Sequence, residues 1–405
     1  MKLFKGILIL LAALLLCGAA LAEDAQPAPE ASAEARDITM DCALNGYWGS
    51  ESPGKMRDND YQTFWESVRR SGAHSLTITA PEGETIGGVL IRWRSWQQPA
   101  LVQVENADGK WETVASCEAD FNAQYIAIPN LTEFRIIHAD GGKTQLKISE
   151  ITIITPGEVP SYIQVWRKPP EKVDLMMVEA HPDDEVLWFG GLLPYYAGER
   201  EMEVLVVNAV FNNYYRRLEL LDSLWTCGIK NYPVILNYLD INNTPREILK
   251  KWNKQTVMED IVTAYRQYKP DVVVLHDENG EYGHGAHIVM SDLGRQAVEA
   301  ANDPTKYKDS YKAYGTWDVP KTYLHLWAEN QIQMDWHVPL NAFNGLTGME
   351  VATLAFECHK SQLVSGDWAM ETGGEYDNSL FGLWRSTVGE DVLKNDLFEN
   401  IPSAE

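Results

Sequence analysis

Cysteine is scarce in this chain, positive charge is outnumbered, and no long apolar run follows the first two dozen residues. Each shortage removes a class of function. Five cysteines occur in 405 residues, and the four beyond the first segment, Cys42, Cys117, Cys227 and Cys358, form no CxxC pair. That speaks against a thiolate zinc site or a dithiol redox site. A bridge between Cys42 and Cys117 is open to an exported protein, and four buried thiols fit the sequence equally. Lysine and arginine number 34 against 58 acidic residues, a net charge of -24. A surface of that sign repels a phosphate backbone, so no nucleic-acid partner is expected. Without a further apolar run of bilayer length, no transmembrane segment is expected in the mature chain.

What is present starts with Met1-Lys2-Leu3-Phe4-Lys5, the apolar residues 6–16 and the small-residue site Ala20-Leu21-Ala22. That order reads as a secretory signal cleaved after Ala22, and so as a secreted or extracytoplasmic protein. Lipidation at Cys17 is the lesser alternative, because Leu16 stands where such processing prefers a small side chain. Residues 23–36 lack aromatic and branched apolar groups and are expected to be a disordered tether. With 45% apolar and 23% charged residues the remainder has the composition of a folded protein, and its length suggests two domains.

From 37 to 156 short alternating segments recur, at 75–78, 88–93, 101–104, 111–115, 125–128, 134–137 and 146–154. Strands at that spacing imply an antiparallel β-sandwich. The run Met56 to Trp65, with its acidic turn leading to Thr63 and Trp65, and the strand ending in Trp93, resemble the discoidin-like or galactose-binding-like sandwich of many carbohydrate-binding modules. Tyr47, Trp48 and Trp96 can lie flat against a sugar ring, or fill the sandwich core or its join with the second domain. Asp58-Asn59-Asp60 reads as a turn, with a structural calcium as the alternative.

Beyond Val173 the pattern changes. Segments 175–178, 203–208, 234–236 and 271–275 are strand-like, while 192–197, 216–226, 256–267 and 287–301 carry helical periodicity. This alternation predicts an α/β domain over 170–405, Rossmann-like with three α/β/α layers and a mainly parallel sheet. Functional loops in such a domain gather at the carboxyl ends of the strands.

Two of those ends are rich in chemistry. The first carries Ala180-His181-Pro182-Asp183-Asp184-Glu185, followed by Gly190-Gly191; the second carries His276-Asp277-Glu278-Asn279-Gly280-Glu281-Tyr282-Gly283-His284-Gly285-Ala286-His287. Two imidazoles and a carboxylate are a common hydrolytic zinc set. His181 and Asp184, three apart, can face one way at a strand-to-helix corner, and His287 can complete the set. A metal there brings the pKa of a bound water toward neutrality, and Asp183 can take the proton as general base. Taken singly, each motif has a plainer explanation: acids favour a helix start, and a glycine-rich histidine loop can be an ordinary turn.

The pair AHPDDE-GG and NGEYGHGAH resembles the PIG-L or LmbE-like zinc-dependent deacetylases, which act on N-acetylglucosaminyl compounds. The resemblance runs from Val173 to the end and includes Arg216, Glu219, Asp240, Pro320 to His325, His359 with Ser361-Gln362, and Asp396-Leu397-Phe398. It implies one zinc per chain on His181, Asp184 and His287, other divalent metals being possible, with Asp183 as base. It further implies that His284 stabilises the oxyanion or protonates the leaving amine, that Tyr282 polarises the amide carbonyl, and that Arg216 and Asp240 contact the sugar. One departure bears on this chemistry: many relatives have Pro-Asp where this chain has Gly285-Ala286, so an acid that would orient a neighbouring histidine is missing. The expected function is removal of acetyl from an N-acetylated amino sugar, with a carbohydrate substrate or cell-surface glycan as partner. The alternatives are an amidase for another small amide conjugate and a glycan-binding protein with weakened catalysis.

Overall fold

The computed structural model describes residues 33–46, 52–67, 74–95, 98–211, 213–363, 370 and 372–402. The expected signal segment, Cys17, most of the tether, Tyr47, Trp48 and Trp96 lie outside the described residues. Glu34 to Arg36, at the end of the expected tether, are held: Ala35 is buried and its N–H donates to the Glu158 carbonyl at 2.9 Å.

Nine strands come first: β1 (Ala43–Gly46), β2 (Trp65–Glu66), β3 (Ser75–Thr79), β4 (Ile86–Trp93), β5 (Ala100–Glu105), β6 (Trp111–Cys117), β7 (Ala123–Leu131), β8 (Glu133–His138) and β9 (Lys147–Ile154). They form a sheet of order β1-β3-β8-β5-β6 and a second of order β2-β9-β4-β7, with antiparallel pairing throughout. Alternation in β3 buries Leu76 and Ile78, which meet Val89, Ile91, Val102, Phe134, Ile136 and Ile151 from both sheets in one apolar core. Trp65 and Trp93 are fully buried in it. Each such side chain contributes roughly 1.5–3 kcal/mol by leaving water. Asp58 and Asp60 spend their carboxylates on the turn: Asp58 accepts from Asp60 N and Thr63 Oγ1, and Asp60 from Gln62 N. The four cysteines among the described residues are free thiols, Cys42 and Cys227 buried, Cys117 and Cys358 half-buried.

The second half builds a seven-stranded sheet from β10 (Leu175–Glu179), β11 (Val204–Val210), β12 (Val234–Tyr238), β13 (Val272–Leu275), β14 (Lys321–His325), β15 (Gln331–Gln333) and β16 (Leu380–Ser386). Its order is β12-β11-β10-β13-β14-β16-β15. The first five strands run parallel; β16 is antiparallel to both its neighbours. Helices are α1 (Asp184–Leu187), α2 (Tyr214–Thr226), α3 (Pro245–Trp252), α4 (Lys254–Tyr268), α5 (Gly285–Asn302), α6 (Lys308–Tyr314), α7 (Gly348–Glu357) and α8 (Lys360–Leu363), with a π-helical turn at Pro194–Glu199. Every residue of β10, β11 and β13 is buried, as strands in the middle of a covered parallel sheet must be. The strand order reverses beside β10, so the loops that leave β10 and β13 open next to each other.

One apolar cluster joins the two halves. Tyr61, Leu90, Ala123 and Ile154 from the first pack with Leu218, Leu221 and Tyr232 from the second. Polar contacts line the same join: Tyr61 donates to Asp222 at 2.5 Å, Arg217 to Asn122 Oδ1 at 2.7 Å, and Asn122 N to Tyr232 Oη at 3.0 Å. A recess of about 930 Å³ near Tyr61, Arg92, Asp222 and Trp225 includes none of the expected site residues. No helix among the described residues is long and apolar enough to cross a membrane.

Candidate metal centre

Strand β10 ends on Glu179, and the chain turns through Ala180 and His181 into α1. Asp183 makes the corner with φ 115°, a left-handed conformation uncommon for any residue but glycine. Its carboxylate forms no capping bond on α1. Asp184 reaches backwards instead: Oδ2 accepts from the N–H groups of Ala180 and His181 at 3.2 and 2.7 Å, and Oδ1 from Trp188 Nε1 at 2.9 Å. Glu185 turns inward, taking Asp183 N at 2.8 Å, Ser223 Oγ at 2.5 Å and His359 Nε2 at 2.6 Å. Helix capping therefore does not account for the three acids.

The second corner follows β13. Gly280, Glu281 and Gly283 all have positive φ, and the tight turn delivers His284 as the N-cap of α5 with His287 in its first turn. There His287 meets the first corner. His181 Nδ1 lies 3.1 Å from His287 Nε2 and 3.3 Å from Asp184 Oδ2, and His287 Nε2 lies 3.3 Å from Asp184 Oδ1. Donors held by one tetrahedral zinc at about 2.0–2.1 Å stand roughly 3.3–3.4 Å apart. The buried triangle of His181, Asp184 and His287 thus fits a small divalent ion. His287 Nδ1 donates to Glu281 at 2.6 Å, which leaves the Nε2 lone pair for the triangle, and His181 Nε2 stands 3.7 Å from Asp240 Oδ1. The groups whose donor atoms lie together are His181 with His284 and His287, and Asp184 with His276 and His287; His287 is common to both, and Asp184 turns Oδ2 to His181 and Oδ1 to His287.

Burial pushes Asp183 up to about 7, against the pull of the Arg216 guanidinium. Burial acts the same way on Asp184, but His287, His276 and His181 outweigh it and hold that carboxyl well below its usual range. For His287 burial favours the neutral ring, while Asp184 and Glu281 prevail and raise it to about 10, so an ion bound at Nε2 takes the place of a proton there. His284, desolvated and facing two other imidazoles, falls to about 3. Its Nδ1 accepts from Ala286 N at 3.3 Å, so the ring proton sits on Nε2.

All eight expected site residues come to this corner pair, although Arg216 and Asp240 do so in an unforeseen way. Arg216 donates to Pro182 O, lies 3.1 Å from Asp183 Oδ2 and 3.5 Å from Asp240 Oδ2, so the two sugar-contact candidates pair with each other, and Arg216 also pairs with Asp183. Tyr282, partly exposed, stands at the mouth with its ring 5.7 Å from His284 and 5.6 Å from Trp188. Several resembling residues turn out to brace the fold: Glu219 accepts from Ser361 N and Oγ at 2.9 and 2.6 Å, and Asp396 accepts from Tyr196 Oη at 2.9 Å. Sequence reasoning gave no role to Glu185, His276, Glu281, His325 or Trp188. Glu281 was visible as a carboxylate in the histidine loop, but only the left-handed turn folds it back onto His287.

Both corners fall within a stretch of known kind. Residues 176–298 match the PIG-L family, described as GlcNAc-PI de-N-acetylase. The C-terminal part thus carries a PIG-L-like segment running from β10 into α5. Over 181 residues the chain is 31% identical to the 1D-myo-inositol 2-acetamido-2-deoxy-alpha-D-glucopyranoside deacetylase of Geodermatophilus obscurus, covering 37% of this chain and 60% of the relative. The chain spans about six tenths of the length of the curated relatives it matches. Among solved structures, N,N'-diacetylchitobiose deacetylase from Pyrococcus horikoshii aligns with TM-score 0.35 and 20% identity, over 48% of this chain and 72% of that one. The family 32 CBM of C. perfringens NanJ, in complex with galactose, aligns with TM-score 0.24 and 14% identity, over 30% of this chain and 98% of that one.

Proposed function

We propose that the chain is an exported zinc-dependent amidohydrolase that removes the acetyl group from an N-acetylated amino sugar. In this reading the parallel sheet belongs to a Rossmann-like three-layer domain and the paired antiparallel sheets form a discoidin-like sandwich that keeps the enzyme near a glycan. The observation that carries it is the buried triangle of His181 Nδ1, Asp184 and His287 Nε2 beside a carboxylate, Asp183, that no capping role explains. The PIG-L match over both corners supports the same chemistry. Zinc suits two imidazoles and one carboxylate, and iron, cobalt or manganese suit them too. Export rests on the basic, apolar and small-residue order of residues 1–22.

A bound divalent metal supplies the Lewis acidity that makes water nucleophilic near neutral pH. The chain's own groups do the rest. Asp183, held by Arg216, takes a proton from the water as its oxygen bonds to the acetyl carbon. The carbonyl oxygen gains negative charge and accepts a hydrogen bond from the Nε2–H of His284, whose tautomer is fixed by Ala286 N; Tyr282 stands at the mouth as a second donor. The carbon–nitrogen bond then breaks, Asp183 returns the proton to the sugar nitrogen, and acetate and the free amine leave. Of the two tasks the resemblance implied for His284, the donor to the oxyanion fits a ring that carries its single proton on Nε2.

The test is acetate release from N-acetylglucosamine, its short oligomers, inositol-linked N-acetylglucosamine and peptidoglycan fragments, each with a chelated sample beside it. Release should stop with chelator and return with zinc. No release from any of them by a chain that binds one zinc tightly would sink the amino-sugar reading.

A further inference from the structure

Glu281 has a place in the structure that neither its charge nor its position in a turn would suggest. Its side chain is completely buried. Oε2 accepts from His287 Nδ1 at 2.6 Å; Oε1 faces His276 Nδ1 at 3.2 Å and His325 Nδ1 at 3.1 Å and accepts from Asp277 N at 3.0 Å. Three imidazoles from three parts of the chain thus converge on one carboxylate. The His276 ring stacks on that of His287, centroids 4.2 Å apart and 14° from parallel, and His325 Nε2 is anchored 3.1 Å from Asp377 O. Phe189 and Phe381 close the apolar wall around the cluster.

We propose that Glu281 is the positioning carboxylate of the metal-ligand histidine His287, acting from the preceding turn, with His276 and His325 as its fixed supports. The inference rests on the metal-centre reading above and deepens it. A carboxylate on the far nitrogen of a ligating imidazole fixes the tautomer, fixes the ring plane and raises the basicity of the ligating nitrogen. His287 has all of this: Glu281 on Nδ1, His276 along its face, and Nε2 left to the triangle. The local backbone explains why the acid comes from 281. Gly285 lies so close to Asn243 that an added Cβ would stand 2.0 Å from its carbonyl oxygen, and Ala286 is fully buried. The 241–246 segment occupies the space beside 285, whereas Gly280 (φ 70°) and Glu281 (φ 54°) turn the longer acid inward. A buried carboxylate requires several donors, and His287 Nδ1, His276 Nδ1 and Asp277 N supply them.

Glu281→Gln and Glu281→Ala in the full chain separate this from a merely structural role. Zinc affinity, read by competition with a chromophoric chelator, should fall roughly 10- to 100-fold in both. The visible bands of the cobalt-loaded Gln variant should shift relative to wild type. A wild-type chain that binds zinc, with variants that bind it equally well and give the same cobalt spectrum, overturns the role of Glu281 and leaves the deacetylase reading standing. A wild-type chain that takes up no divalent metal overturns both. Should either variant fail to fold, nitrogen-15 histidine spectra of zinc-loaded wild type decide: His287 must carry its proton on Nδ1, in a strong hydrogen bond, and a proton on Nε2 overturns the proposal.

Discussion

Asp183 is the residue where geometry and chemistry are most tightly bound together. Its φ of 115° costs on the order of 1–3 kcal/mol, and the network of Glu185, Ser223 and His359 holds that corner in place. Asparagine tolerates left-handed backbone better than most residues, so Asp183→Asn should keep both the fold and the bound zinc. Acetate release should nevertheless fall by roughly 10²–10⁴-fold, the usual worth of a general base. Metal content and turnover measured on one preparation check this, and undiminished turnover would remove Asp183 from the reaction. The residues proposed as ligands and proton carriers were legible in the sequence because strand ends of a parallel sheet share one edge, so two polar motifs after two apolar runs had to meet. Their partners were not legible. The bond from Glu281 to His287 depends on a turn, and the bond from Glu185 to His359 spans 174 positions, a distance that no local pattern encodes.

The same division holds for secondary elements. All seven segments expected in the first half are strands, because alternation reports a half-buried sheet directly; β1 and β2 are too short for alternation to register. In the second half three of the four expected helices are α-helices and the fourth, 192–197, is largely a π-helical turn; the four expected strands are present, while α1, α3 and α6 to α8 were not among those expected. Two of these did carry a signal. Thr244-Pro245-Arg246-Glu247 is a capped start with proline in the first turn, and Thr347 to Glu350 is a full capping box. Helix α6 begins on Tyr307 with φ 45° and no capping side chain, so nothing local announced it. Strand β16 gains its place only by pairing with β14 and β15. In α7 Thr347 Oγ1 accepts from Glu350 N at 3.2 Å, and Glu350 Oε2 accepts from Thr347 N at 2.7 Å. Thr347→Ala should lower stability by about 1 kcal/mol, visible as an earlier urea midpoint at unchanged slope, and Thr347→Ser should restore most of it.

For the molecule as a whole, the join between the halves carries a pH response. Glu150, buried on β9 next to Asp58, Tyr61 and Arg92, accepts from Asp60 N at 3.2 Å. Burial, with the nearby Asp58, lifts its pKa from 4.5 to about 7. The folded chain therefore holds this proton where the unfolded chain releases it. The associated stability is complete below pH about 4.5 and is lost as pH rises through about 7, with a slope on the order of 1 kcal/mol per pH unit. Glu150→Gln should flatten the decline of Tm between pH 5 and 8 and raise Tm at pH 8; a variant whose Tm profile tracks wild type would show that Glu150 titrates normally.

The apolar cluster that crosses this join has a consequence for ancestry. Two pieces of chain linked only by a tether can be exchanged by recombination, since neither feels the loss of the other. Here Tyr61, Leu90, Ala123 and Ile154 are interior to the same cluster as Leu218, Leu221 and Tyr232, and Asn122 is bound by Arg217. A new front piece would have to arrive already matched to that face. A change on one side of the join therefore alters which side chains the other side can pack against.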